Sequence, residues 1–154
     1  MAKQIEDYIK ENLIGEAQAT ALTFVAFLRN NNIEFYKDNG TCWKDKIYYW
    51  LKFNGECVAF ITINDPDEPA NLWTVWSNGS VAFSTDIMDD EIKNNGWKHI
   101  DFCGHCGSCS GGKNKIIFGK EFERVCNCTF RIDNPQRSDL PFIKKMIELC
   151  LTKH

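Results

Sequence analysis

A chain of 154 residues with a formal net charge of −3 and a pI near 5.6 has the size of one compact domain, able to bury most of its apolar surface without disulfides or metals. Acidic and basic residues are scattered along it, which argues against nucleic acid as a partner, because no positive face offers phosphates a place to release counterions. The longest strongly apolar stretch, Ala17 to Leu28, is too short for a bilayer and is broken by Gln18, Thr20 and Thr23, so no membrane span is expected.

The first residues, Met1-Ala2-Lys3-Gln4-Ile5-Glu6-Asp7, lack the basic start and apolar run of a secretory signal, so a reducing cytoplasm is expected and the eight cysteines read first as thiols. Ile5, Tyr8, Ile9 and Leu13 recur at helical spacing, and Ala17, Ala21, Phe24, Val25 and Leu28 form a second stripe. This predicts two helices, or one kinked near Gly15, closed by Asn30-Asn31-Asn32. Residues Ile47 to Phe53 and Cys57 to Ile63 flank Asn54-Gly55, the pair best suited to a tight hairpin turn.

Asp65-Pro66-Asp67-Glu68-Pro69 reads as a loop, since two prolines remove amide donors. Leu72 to Trp76 and Val81 to Phe83 around Asn78-Gly79 suggest another hairpin, so the middle of the chain is an antiparallel meander. Thr85 is placed to cap a short helix through Ile92 that ends near Gly96, with a strand from Trp97 to Phe102 after it. Lys115 to Phe118 and Glu123 to Ile132 read as further strands; Asn134-Pro135 ends the second, and Ser138 opens a final helix carrying Phe142, Ile143, Met146, Ile147 and Cys150. The expected fold is a single α+β domain over residues 1–154: a meander with N-terminal, middle and C-terminal helices packed on it.

Five of the eight cysteines fall between Cys103 and Cys128, as Cys-x2-Cys-x2-Cys and then Cys-x-Cys. Cys103-Gly104-His105-Cys106-Gly107 has the form of a metal knuckle: two intervening residues let both sulfurs reach one ion, and glycine permits the tight turn. Cys126 and Cys128, two apart on a strand and so on one side of the sheet, can complete a tetrahedral site, with Cys109 able to replace either. Soft thiolates make Zn²⁺ the default ion, and the spacing matches no common ferredoxin. Against this stands plain burial, because Cys126, Cys128, Phe130 and Ile132 alternate as a core-facing strand would.

Cys103-Gly104-His105-Cys106 also reproduces the redox motif of protein disulfide isomerases, yet Gly107-Ser108-Cys109-Ser110-Gly111-Gly112 is a poor start for the helix that lowers a thiol's pKa in that family. Gly107-x4-Gly112-Lys113-Asn114 resembles a phosphate-binding loop, but Asn114 stands where a Ser or Thr would hold Mg²⁺. Cys103-x2-Cys106-Gly107-x-Cys109, followed by Ile117-Phe118-Gly119-Lys120-Glu121-Phe122, Val125-Cys126 and Asn134-Pro135, resembles a group of small bacterial proteins with no established activity. The resemblance covers roughly the last third of the chain and implies only that this segment is a unit.

Trp43, Trp50, Trp73, Trp76 and Trp97, with Tyr48 and Tyr49, give the sheet region many large amphipathic rings. Most should be core, but Trp73 and Trp76 are an odd number of positions apart and point to opposite sides of a regular strand. One face can therefore carry Tyr48, Trp50, Trp73 or Trp76 as the apolar wall of a small-molecule site, or as a homodimer contact. Groups for conventional catalysis are sparse: three histidines, no nucleophile elbow and no His-Glu-x-x-His helix. Glu121 and Glu123 read as a solvated edge. Three functions stay open: a metal- or ligand-binding domain, a thiol oxidoreductase using Cys103 and Cys106, and a non-enzymatic interaction domain.

Overall fold

The computed structural model describes residues 3–37, 47–65, 69–77, 90–102 and 111–152. Two helices open the chain, α1 (Ile5–Asn12) and α2 (Gly15–Asn30). The break between them needs Gly15, whose φ of 60° is costly for any residue with a Cβ. Arg29 ties the pair together by donating to Glu6 at 2.6 Å.

Strands β1 (Glu34–Lys37), β2 (Ile47–Phe53), β3 (Glu56–Ile63) and β4 (Trp73–Ser77) follow. Helix α3 (Asp90–Lys98) leads to β5 (Ile100–Phe102), β6 (Lys113–Ile117) and the long β7 (Lys120–Asp133). A 3-10 turn (Arg137–Asp139) then enters α4 (Leu140–Thr152). The strands run in the order β1-β2-β3-β4-β7-β5, with β6 also on β7, and every pairing among the described residues is antiparallel. The fold is therefore α+β, a meander with helices from the start, middle and end of the chain.

Asn54 (φ 50°) and Gly55 (φ 83°) make the β2–β3 turn, as their tolerance of positive φ leads one to expect. The first arm of the hairpin predicted around Asn78-Gly79 is β4, which pairs with β3 and with β7 along Thr74 to Trp76. The other arm, 81–83, lies outside the described residues, as do Thr85 and Trp43.

Pleating divides the side chains of the sheet into two rows of different fate. Tyr49, Ile61, Val75 and Ile132 stand opposite one another across β2, β3, β4 and β7, and all are buried. Helical rings close over that face: Tyr8 on Tyr49, Phe24 on Trp73 and Phe142 on Phe130.

Two predicted boundaries move for packing reasons. Helix α3 runs past Gly96 to Lys98, so the glycine is not a stop and Trp97 is helical rather than the start of a strand. A Cβ at Gly96 would lie 2.7 Å from Phe142 and 2.8 Å from Phe118, so glycine is what allows helix and rings to approach. Trp97 donates its indole N–H to the Ile117 carbonyl at 2.9 Å, which ties α3 to β6. Strand β1 had no counterpart in the sequence reading.

Candidate functional site

Strand β7 is where β5 and β6 meet, and its register is irregular on both edges. Against β6, one extra residue sits in β7 near Arg124, where φ is 57°. Against β5 the break is larger: two steps from Ile100 to Phe102 answer to five steps from Phe130 to Val125. Three extra residues therefore bulge out between Cys126 and Thr129.

The bulge is held from two sides. Lys115 on β6 donates its ammonium to Thr129 Oγ1 at 2.8 Å and to the Cys126 carbonyl at 3.3 Å. Ser77 on β4 accepts the Phe130 N–H at 3.1 Å. Thr129 is fully buried with φ at 70°, a conformation a β-branched residue adopts only where its surroundings over-determine it, at a cost of about 1–3 kcal/mol.

This irregularity corrects the reading of Cys126 as part of one alternating row with Phe130 and Ile132. Val125 and Phe130 are both fully buried although an odd number of positions separates them, so simple alternation is broken across the bulge and Cys126 does not belong to the Phe130–Ile132 core row. Cys126 is half-buried with a free thiol. The side chain of Cys128, and Cys103, Cys106 and Cys109 altogether, lie outside the described residues.

What the sheet does fix is where the cysteine segment leaves and returns. Phe102, its last strand residue before Cys103, pairs with Val125, and Lys113, the first strand residue after it, pairs with the same Val125. Both stems thus stand beside the residue next to Cys126. Opposite the bulge lies Asp101, which the sequence reading did not single out. Burial and the neighbouring Asp133 push its carboxyl above the usual carboxylate range, while Arg131 and a hydrogen bond with the Cys126 side chain pull the other way. Its signal in the sequence was only a charged residue in an otherwise apolar strand.

Among the described residues no three His, Cys, Asp or Glu side chains form a metal-binding group. Cys57 on β3 is half-buried and donates its S–H to the Ala59 carbonyl at 3.4 Å, and burial pushes its thiol pKa up. Lys113 and Asn114 of the phosphate-loop match lie on β6, not on a helix, and Asn114 Oδ1 accepts the Arg124 N–H at 3.3 Å.

The predicted aromatic residues separate. Trp73 is 1% exposed on the helix side, in contact with Phe24, and its indole N–H has no partner; it is core. On the other face, Tyr36, Trp50, Phe60, Trp76 and Arg131 stand opposite one another across β1, β2, β3, β4 and β7. Tyr48 lies beside this row, 5.9 Å from Phe60 and 6.3 Å from Trp76 between ring centres, and is itself buried. Arg131 covers Trp76 at 5.3 Å. Tyr36 and Trp50 are 46% and 40% exposed, so the row ends in an open platform. Two clefts, of about 320 Å³ beside Gly15 and about 630 Å³ between α3 and α4, are lined by none of these rings.

His99 is held structurally, with Nε2 3.0 Å from Asp139 and its ring stacked on Phe142. Burial alone would raise the Asp139 carboxyl, but hydrogen bonds from the Gln136 N–H, Asn95 and His99 outweigh it, and the result is a lowered pKa. The folded state therefore favours the ionised form. This contribution is present above the unfolded value of about 4 and is lost as pH falls through the lower folded value. Asp139→Asn is accordingly expected to flatten the acid limb of a urea-midpoint against pH curve; an unchanged limb would contradict the assignment.

No helix among the described residues is long and apolar enough to cross a membrane. No protein-family model, no curated protein and no solved structure matches the chain.

Proposed function

We propose that the chain is a cytoplasmic binding domain that holds one zinc ion between its glycine-rich cysteine segment, Cys103, Cys106 and Cys109, and the later strand, Cys126 and Cys128. The observation that carries this reading is the shared register of Phe102 and Lys113 on Val125. A segment that leaves and returns beside Cys126 has its thiols tethered within a few residues' reach of that sulfur, which lowers the entropy cost of gathering four ligands. The strained and doubly pinned bulge adds to it, since backbone held in sparsely populated conformations clusters at binding and catalytic sites. Zinc fits a set of clustered thiols in a reducing compartment, where disulfides do not persist.

Elemental analysis of protein purified without chelator tests the reading, with about one zinc per chain expected. Metal-free protein with mutually reactive Cys103 and Cys106 would favour the oxidoreductase instead. Metal-free protein with slow thiols would leave a third reading, a small apolar ligand or a second copy of the chain on the outer row of Tyr48, Trp50 and Trp76, which rests on the exposure of Tyr36 and Trp50. A mass that falls on dilution would then distinguish the second copy.

A further inference from the structure

We propose that the cleft at the start of α2 binds a small free α-amino acid by its carboxylate and ammonium groups, independently of the zinc reading. The cleft, of about 320 Å³, has the first turn of α2 and Thr20 on one side and Asn71, Asn134 and Pro135 on the other. The sheet builds the second wall. Thr74 of β4 stands opposite Asp133 of β7, so Asn71, two residues before β4, and Asn134, just after β7, are brought to one end of the sheet. Both are fixed there: Asn71 Oδ1 accepts the Ile14 N–H at 2.7 Å, and the Asn134 N–H donates to the Trp73 carbonyl at 2.6 Å.

Polar groups of both signs are left unpaired around this cleft. Ile14 is the N-cap of α2 and its side chain cannot cap, and the N–H groups of Gly15, Glu16 and Ala17 have no acceptor among the described residues. With the helix dipole they favour a negative group. Asn134 Oδ1 is buried and accepts no hydrogen bond, so it calls for a donor. Thr20 is 2% exposed, and its hydroxyl makes no hydrogen bond among the described residues; it can donate or accept. The rim adds one charge of each sign, Glu16 and Arg137, which are 3.7 Å apart and both 76% exposed. A zwitterion complements all of these: its carboxylate suits the helix N-terminus and Arg137, and its ammonium suits Asn134 Oδ1 and Glu16. The volume lies at the small end of the range for ligand sites, about 300–1,000 Å³, which selects a small side chain.

Titration of the isotope-labelled full chain with glycine, L-alanine and L-serine, followed by amide NMR, is the test. The Glu16 and Ala17 amide signals should move and saturate, with a Kd of about 1 mM or tighter for at least one of the three. Propionate, which lacks the ammonium of L-alanine, and L-lactate, which carries a hydroxyl in its place, should bind at least about tenfold more weakly than L-alanine. Asn134→Gly keeps a residue that tolerates the φ of 49° at this position and removes only the amide; it should weaken binding by about tenfold or more. Thr20→Val, of nearly the same shape, should weaken it by about threefold or more. Amide signals that stay still with all three amino acids, propionate or L-lactate binding as tightly as L-alanine, or both variants binding like wild type, would overturn the assignment. The signals of Ile61 and Val75 in the sheet report folding in the same spectra, so a variant that misfolds cannot pass for one that has lost the site.

Discussion

Serine at both Cys103 and Cys106 is expected to abolish zinc retention while leaving the sheet folded. The knuckle supplies two of the proposed ligands, and a hydroxyl is a far poorer zinc ligand than a thiolate, so affinity should fall by more than about a thousandfold, or about 4 kcal/mol. The fold should survive because its described core is assembled from α1, α2, α4 and the inner face of the sheet, and a chain of this length does not need a metal to collapse. Chelator should lower the melting temperature of wild type, since an ion bound only by the native state stabilises it by mass action. The double variant should melt at one temperature with or without chelator. A variant that keeps stoichiometric zinc would place the ion elsewhere.

Phe142→Ala should cost about 3–5 kcal/mol, the range for removing a large ring from a core. Phe142 is fully buried, 5.0 Å from Phe130 and 6.3 Å from Phe118 between ring centres, both nearly edge-on. It also stacks on His99 and fills the space that Gly96 leaves open. One ring therefore joins α4 to α3, to the β6–β7 turn and to the middle of β7. Its neighbours sit on three separate elements and cannot all move into the void, so the loss should be near the top of the range. In a domain of this size that lowers the melting temperature by on the order of 10 °C; a loss below about 1 kcal/mol would show that the ring is not at the centre of the core.

Local chemistry made parts of this fold legible and left others hidden. The Asn54-Gly55 turn was readable because both residues tolerate the positive φ they adopt. The opening helices and α4 were readable from apolar spacing alone. Strand β1 was not, because Glu34-Phe35-Tyr36-Lys37 is short and lacks clean alternation. Gly96 misled for a physical reason: its value lies in contact with Phe142 and Phe118, residues far along the chain, and such packing outweighs the weak helix-breaking tendency of a single glycine. The break between β6 and β7 was readable, but it is tighter than expected because Phe118 leaves the strand with φ of 51° while its ring stacks on Phe130.

The candidate site was half legible. Cysteine spacing singled out the segment, but the bulge depends on Lys115, Ser77 and the register of β5, none of which leaves a local pattern. That is why Asp101 escaped notice and why Cys126 was grouped with Phe130 and Ile132 by an alternation that does not hold across the bulge. The odd spacing of Trp73 and Trp76 showed that they take opposite faces, and the structure adds which face is covered, since Trp73 is the buried one.

Zinc-edge X-ray absorption on chelator-free protein tests the central claim most directly. A zinc-containing sample with sulfur scatterers at about 2.3 Å is the predicted result. A sample without zinc, or zinc surrounded by oxygen and nitrogen alone, would contradict it.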